Sequence, residues 1–163
     1  MLFFPDMYCK NVQSIEIDSL RDKKIKGIAI DVDNTLIDYK QILSEEVKNW
    51  IKKVKENGFK ICILSNSNNK NKVQKVATAL DLQYIMLAKK PFKSGFKKAS
   101  KLLNLLPENI AVIGDQVFTD VIGANNMGMF SIYVEPINKK EYWYTKWKRP
   151  LESLILSKRP NCK

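Results

Sequence analysis

Short apolar runs alternate with helix-period segments from residue 25 to residue 134, and that alternation leaves the chain very few folds. The runs at 25–30, 59–64, 84–87, 110–113 and 130–134 read as strands. They are continuously apolar rather than alternating, the pattern of strands buried on both faces. Between the first two, Ser44 suits a helix cap, Glu45 and Glu46 suit the positive end of the helix dipole, and Gly58 suits the stop. Val47, Trp50, Ile51 and Val54 give that helix its apolar stripe. Val73, Val76, Ala77 and Leu80 repeat the spacing, Phe96, Ala99 and Leu103 mark a third helix, and 118–126 reads as a fourth. Right-handed crossovers between such strands build a parallel sheet. The expectation is an α/β fold, a three-layer doubly wound (Rossmann-like) domain with a central parallel five-stranded sheet.

No repeat, low-complexity tract or interdomain linker interrupts the 163 residues. One domain is expected over 1–163, with an N-terminal extension (1–24), a core (25–136) and a basic, aromatic, helical C-terminal tail (137–163).

In a doubly wound sheet, ligands bind beyond the carboxyl ends of the strands. Three of these ends carry polar, phosphate-competent residues. Ile30 leads into Asp31-Val32-Asp33-Asn34-Thr35, Leu64 into Ser65-Asn66-Ser67, and Ile113 into Gly114-Asp115. Two carboxylates two residues apart repel each other and resist desolvation. A cation must hold them, and Mg²⁺ is the usual partner of an all-oxygen site. Each polar strand end alone reads equally well as an ordinary helix cap.

The chain has no histidine, which excludes Ser-His-Asp and Cys-His nucleophilic systems and His-ligated zinc. Acid–base work falls to carboxylates, Lys, Tyr or Cys. Lys and Arg exceed Asp and Glu by 28 − 17 = 11. That excess favours a polyanionic partner (nucleic acid, anionic membrane or phosphorylated substrate), and it equally describes a solvated, lysine-rich surface. Cys9, Cys62 and Cys162 are far apart and odd in number, so no disulfide framework is expected. No run reaches membrane-spanning length and the first residues do not form a secretory signal. A cytoplasmic location is expected, peripheral to the inner face of the membrane.

Four segments together resemble the haloacid dehalogenase (HAD) superfamily of phosphotransferases. They are Asp31-Val32-Asp33-Asn34-Thr35, Ser65 at a strand end, Lys90-Pro91 before a helix, and Gly114-Asp115-Gln116-Val117-Phe118-Thr119-Asp120. The resemblance implies Asp31 as nucleophile and Asp33 as the acid that protonates the leaving oxygen and later deprotonates water. It implies Mg²⁺ on the carboxylates of Asp31 and Asp115 and the backbone carbonyl of Asp33. Lys90, Ser65 and Asn66 would hold the phosphoryl group, with Asp120 orienting Lys90 or a metal-bound water. Lys89 is the alternative to Lys90, which is preferred because Lys-Pro is the family's form.

Asn34 stands where many members carry Gly. With Lys-Pro, Gly-Asp-Gln-x-Phe-Thr-Asp, the 121–136 stretch and the opening Pro5-Asp6-Met7-Tyr8, it resembles the YqeG-type branch, whose eukaryotic relatives are phosphatidylglycerophosphate phosphatases. That implies release of the terminal phosphate of phosphatidylglycerophosphate in phospholipid biosynthesis. Neither the interval from Asp33 to Ser65 nor that from Ser65 to Lys90 has room for a cap domain. An open site suits a phosphate carried by something large: a lipid headgroup, a nucleic acid 3′-phosphate or a phosphoprotein. A non-catalytic adaptor binding membrane or RNA is the remaining alternative, and the intact motif set argues against it. Tyr142, Trp143, Tyr144 and Trp147, among Lys140, Lys146, Lys148 and Arg149, fit an interfacial membrane contact, base stacking, or packing of the tail on the core.

Overall fold

The computed structural model describes residues 2–138, Leu154 and Ser157. The expected tail, with Trp143 and Trp147, otherwise lies outside the described residues. The chain forms β1 (Met7–Cys9), α1 (Ile17–Asp22), β2 (Gly27–Ile30), α2 (Glu45–Glu56), β3 (Lys60–Leu64), α3 (Lys70–Leu80), β4 (Gln83–Ile85), α4 (Lys93–Leu103), β5 (Ile110–Gly114), α5 (Ile122–Asn126) and β6 (Phe130–Val134). All pairings are parallel and the sheet order is β1-β6-β5-β2-β3-β4.

The sheet therefore has six strands, not the expected five. The added strand, β1, is three residues long and pairs with β6 at Met7↔Ile132, Tyr8↔Tyr133 and Cys9↔Val134. It is too short to show a period, and its anchors are distant. Asp6 accepts hydrogen bonds from the Ser131 backbone and hydroxyl at 2.8 and 3.0 Å, and Tyr8 stacks on Tyr133. Helix α1, which buries Leu20, was also not expected. Cys62 is a buried free thiol, whereas Cys9 is disulfide-bonded. A bridge at Cys9 is not a disulfide framework, but sequence spacing did not announce it, because spacing does not report which cysteines the fold brings close.

Both sheet faces are buried, as continuous apolar strands require. Ile28, Ile30, Ile61, Ile63, Ala111 and Ile113 share one core with Val47, Trp50, Ile51 and Val54 of α2 and Val73, Val76, Ala77 and Leu80 of α3. Ala29, Cys62, Leu64, Ile110 and Val112 face the other way, onto Phe96, Ala99 and Leu103 of α4 and Ala124 of α5. The caps form as the residue types dictate: Ser44 accepts from the Val47 amide at 3.3 Å and Asn69 from the Lys72 amide at 3.0 Å.

The chain runs outward from β2 through β3 to β4, then returns to place β5 on the opposite side of β2. The topological switch point thus lies between β2 and β5, whose carboxyl ends carry Asp31 and Asp115. Between Asp33 and Ser65 the chain forms only a small flap, bridged at Asp33↔Ile37 and Ile37↔Leu43, then α2 and β3. Between Ser65 and Lys90 it forms only α3 and β4.

Helix α4 lies close against the loop before it. A Cβ added at Gly95 would stand 2.4 Å from the Ala88 carbonyl oxygen, a backbone atom with little room to yield. Gly95→Ala is expected to cost about 1–3 kcal/mol of stability through this overpacking. Urea denaturation would read it as a lower midpoint at unchanged slope, and an unchanged midpoint would refute the contact.

Candidate active site

Lys90 is the centre of the site. Its ammonium donates three hydrogen bonds, to Asp31 Oδ1 at 2.7 Å, Asp120 Oδ1 at 2.7 Å and the Leu64 carbonyl at 2.9 Å. Only 3% of its side chain is exposed, so an unpaired charge there would be very costly. Burial pulls Lys90 toward its neutral form, but Asp120 and Asp31 outweigh that and hold the ammonium above its ordinary value. Lys89, by contrast, is exposed and sits in the left-handed region at φ 56°.

The loop that delivers Lys90 is clamped by Asn66. The Lys90 amide donates to Asn66 Oδ1 at 2.7 Å and Asn66 Nδ2 donates to the Lys90 carbonyl at 3.0 Å. Asn66, expected on the substrate phosphate, thus engages the backbone of the lysine loop through both ends of its amide. The Lys90-Pro91 peptide is cis. Ser65 is 1% exposed; its hydroxyl accepts from the Ser67 amide at 3.1 Å, and its backbone binds Ile85 and Ala88.

Asp31 follows β2 directly, its amide bound to the Ile113 carbonyl at 2.9 Å. Desolvation by burial is the main reason its carboxyl is raised from 3.8 to about 6; Lys90 opposes the rise and Asp120 and Asp33 add to it. Asp115 is 1% exposed, with the Thr35 hydroxyl 3.5 Å from its Oδ1.

Asp120 reaches the cluster because the expected helix at 118–126 opens differently. Val117–Val121 is a π-helical turn, and only Ile122–Asn126 is α-helical. Wide turns of this kind are common at functional sites, where they re-aim one side chain. Here Asp120 takes the Gln116 amide on Oδ2 at 3.2 Å and Lys90 on Oδ1. A Cβ at Gly114 would lie 2.2 Å from the Asp120 carboxyl carbon, so no other residue fits at 114 without moving Asp120.

Carboxylate oxygens of Asp31, Asp115 and Asp120 all lie within 4.8 Å of one another, and all three residues are buried. With Lys90 the ionised cluster carries a net charge of about −2, which one divalent cation balances. The donors are all oxygen, the set suited to a hard cation. The group contains two of the expected metal residues, Asp31 and Asp115, and Asp120 besides. The third, Asp33, was expected through its backbone carbonyl, and its carboxylate points elsewhere.

That carboxylate is half exposed and takes the Lys72 ammonium on both oxygens, at 2.7 and 2.9 Å. The sequence reading passed over Lys72, one of many lysines. A local signal existed: α3 carries Lys70 and Lys72 and no acid in its first turn, against the preference of a helix N-terminus for negative charge. Asn34 holds φ 58°, a conformation tolerated by Asn where Gly is the usual choice, and its carbonyl and side chain accept from the amides of Ile137 and Asn138.

The raised carboxyl of Asp31 has a consequence for stability. Its folded value of about 6 exceeds the ordinary 3.8, so the folded state holds the proton more tightly. Stability is then lost as pH rises from about 4 to about 6, by up to about 3 kcal/mol in metal-free protein. Urea denaturation across that range, with and without a divalent cation, would show the loss and its reduction on loading. Stability that rises through this window would refute the assignment.

Likenesses to known proteins point to a family. The family model described as mitochondrial PGP phosphatase matches residues 1–138. The probable phosphatase YqeG of Bacillus subtilis (strain 168) is 35% identical over 156 residues, covering 95% of this chain and 90% of that protein. Phosphatidylglycerophosphate phosphatase 1, chloroplastic/mitochondrial, of Arabidopsis thaliana is 23% identical over 146 residues, with 84% of this chain covered but only 42% of that protein. The cobalt-bound deoxy-D-mannose-octulosonate 8-phosphate phosphatase (YrbI) of Haemophilus influenzae superposes with a TM-score of 0.56 at 16% identity, covering 83% of this chain and 89% of that one, a likeness of fold alone. The chain belongs to the PGP phosphatase family of HAD-type phosphatases and is a phosphoric monoester hydrolase.

Proposed function

We propose that this protein is a Mg²⁺-dependent phosphatase that removes the terminal phosphate of phosphatidylglycerophosphate through an aspartyl-phosphate on Asp31, working at the inner face of the membrane. The observation that carries the reading is the convergence of Asp31, Ser65, Lys90, Asp115 and Asp120 on one sheet edge with no inserted domain between the motif segments. An uncapped site accepts a phosphate presented on a surface. The likeness to phosphatidylglycerophosphate phosphatase supports the lipid over other large carriers.

The chemistry follows from the side chains. One Asp31 oxygen attacks phosphorus, the phosphorus–oxygen bond to the glycerol breaks, and Asp33 gives its proton to the leaving oxygen. Asp33 then takes a proton from water, the water oxygen attacks phosphorus, and the bond to Asp31 breaks, restoring the carboxylate. A cation on Asp31 and Asp115 supplies, when bound, the neutralisation that lets an anionic nucleophile meet an anionic ester. Lys90 orients Asp31 and, with the Ser65 hydroxyl, stabilises charge on the phosphoryl oxygens. Lys72 holds Asp33 at the rim between the two steps.

Purified protein is expected to release phosphate from phosphatidylglycerophosphate in mixed micelles with Mg²⁺. Asp31→Asn should abolish release while leaving a cooperative unfolding transition. Turnover of an end-phosphorylated oligonucleotide or a phosphopeptide, with none of the lipid, would overturn the substrate assignment. Lys72→Met should lower kcat by about tenfold, with KM little changed, and Lys72→Arg should recover most of it. An unaltered kcat in Lys72→Met would remove Lys72 from the reaction.

A further inference from the structure

The loop between β4 and α4 breaks two local rules, and each break exposes apolar surface. Leu87 adopts φ 48°, the left-handed region that favours Gly or Asn and strains a side chain such as Leu. Phe92 is the N-cap of α4 and makes no side-chain cap bond, at a position where Ser, Thr, Asp or Asn stabilises a helix. Their exposures are 57% and 72%. Neither side chain helps its own segment fold, and a polar residue would serve better at both positions. Single exposed apolar residues are ordinary. These two share the seven-residue stretch that also delivers Lys90.

The stretch is fixed in place. The amides of Leu87, Ala88 and Phe92 donate to the carbonyls of Ser67, Ser65 and Lys89, and Asn66 clamps Lys90. Ala88 and Lys90 turn inward while Leu87, Lys89, Phe92 and Lys93 turn outward. From 82 to 107 the chain has six lysines and no Asp or Glu, and Lys90 alone of the six is buried. Apolar tips framed by unopposed cations match an anionic bilayer in both respects. A protein partner would call for some carboxylates or hydrogen-bonding variety on this face.

We propose that the β4–α4 loop is a membrane-docking surface. Leu87 and Phe92 enter the interfacial layer of an anionic bilayer, and Lys89 and Lys93 beside them meet its phosphates. The proposal rests on the lipid substrate read above and adds to it the face the enzyme turns to the membrane. Docking there brings Lys90 and its carboxylates to the headgroup layer without any closing domain.

The test is the variant Leu87→Asn/Phe92→Ser. Asn suits the left-handed position and Ser supplies the missing cap, so the fold is expected to be as stable as wild type or more so. Wild-type protein should sediment with phosphatidylcholine vesicles containing phosphatidylglycerol and much less with pure phosphatidylcholine vesicles. The variant should bind the anionic vesicles about tenfold or more weakly, yet hydrolyse p-nitrophenyl phosphate within about twofold of wild type. Equal vesicle binding by variant and wild type, or no binding by wild type, would overturn the proposal. So would a lower melting temperature of the variant, which would mean that the chain itself covers these side chains. Release of phosphate from phosphatidylglycerophosphate is scored separately. Bound vesicles without release would sink the substrate reading alone, and equally fast release by variant and wild type would sink the docking surface alone.

Discussion

A lysine ammonium buried between two carboxylates organises this protein. An isolated ammonium at that depth would be neutralised or expelled. Lys90 stays charged because Asp31, Asp120 and the Leu64 carbonyl occupy its three donor positions. Each partner comes from a different segment, so the ion network ties the ends of β2 and β3, the lysine loop and the π turn into one unit. Several local features exist to satisfy it. Asn66 fixes the loop, the π turn aims Asp120, and Gly114 leaves room for the carboxylate that arrives.

The same network is out of balance. Three acids and one lysine leave an excess of negative charge in a site that water scarcely reaches. A proton or a cation must make up the difference. In the metal-free state Asp31 is pushed up to about 6, chiefly by burial, which is the proton's share of that solution. A divalent cation offers the other solution, and it would hold Asp31 as an anion, the form that the proposed nucleophile requires. Metal binding and the proposed activation of Asp31 would then answer the same excess of negative charge.

Much of this was legible in the sequence because the relevant signals are local or periodic. The strand runs, the Ser44 cap and the stripes of α2, α3 and α4 are set within a dozen residues, and the structure reproduces them. The motif acids stood out for another reason: carboxylates two residues apart at a buried strand end repel each other unless partnered, and the structure partners Asp31 with Lys90 and Asp33 with Lys72. What escaped depends on long-range partners. Strand β1 exists through contacts with β6 more than a hundred residues away and carries no period of its own. The π turn is decided by where Asp120 must reach, not by helix propensity. Lys72 is chemically indistinguishable from its neighbours until the fold sets it against Asp33. Asn66 was read by its position in a motif, yet its amide geometry equally suits the peptide of Lys90, and only the folded loop brings that peptide within reach.

Several of the places where local preference loses lie together, although Lys24, Asp81 and Asn104 also hold left-handed backbone elsewhere. Lys72 sits against the dipole of α3, Asn34, Leu87 and Lys89 hold left-handed backbone, and Phe92 occupies a cap position it cannot serve. All lie at the carboxyl edge of the sheet or in the loops that leave it. The core between the strands and α2, α3 and α4, by contrast, obeys the burial pattern, and α2 and α3 carry side-chain caps. A parallel sheet allows this division of labour, since its stability comes from the packed faces while its loops need only be held. Consistency across levels is what makes a sequence fold, and concentrated inconsistency marks where it does something else. At this edge the inconsistencies gather around the proposed chemistry: Lys72 held against Asp33, a flap turned at Asn34, and apolar tips at Leu87 and Phe92 beside Lys90.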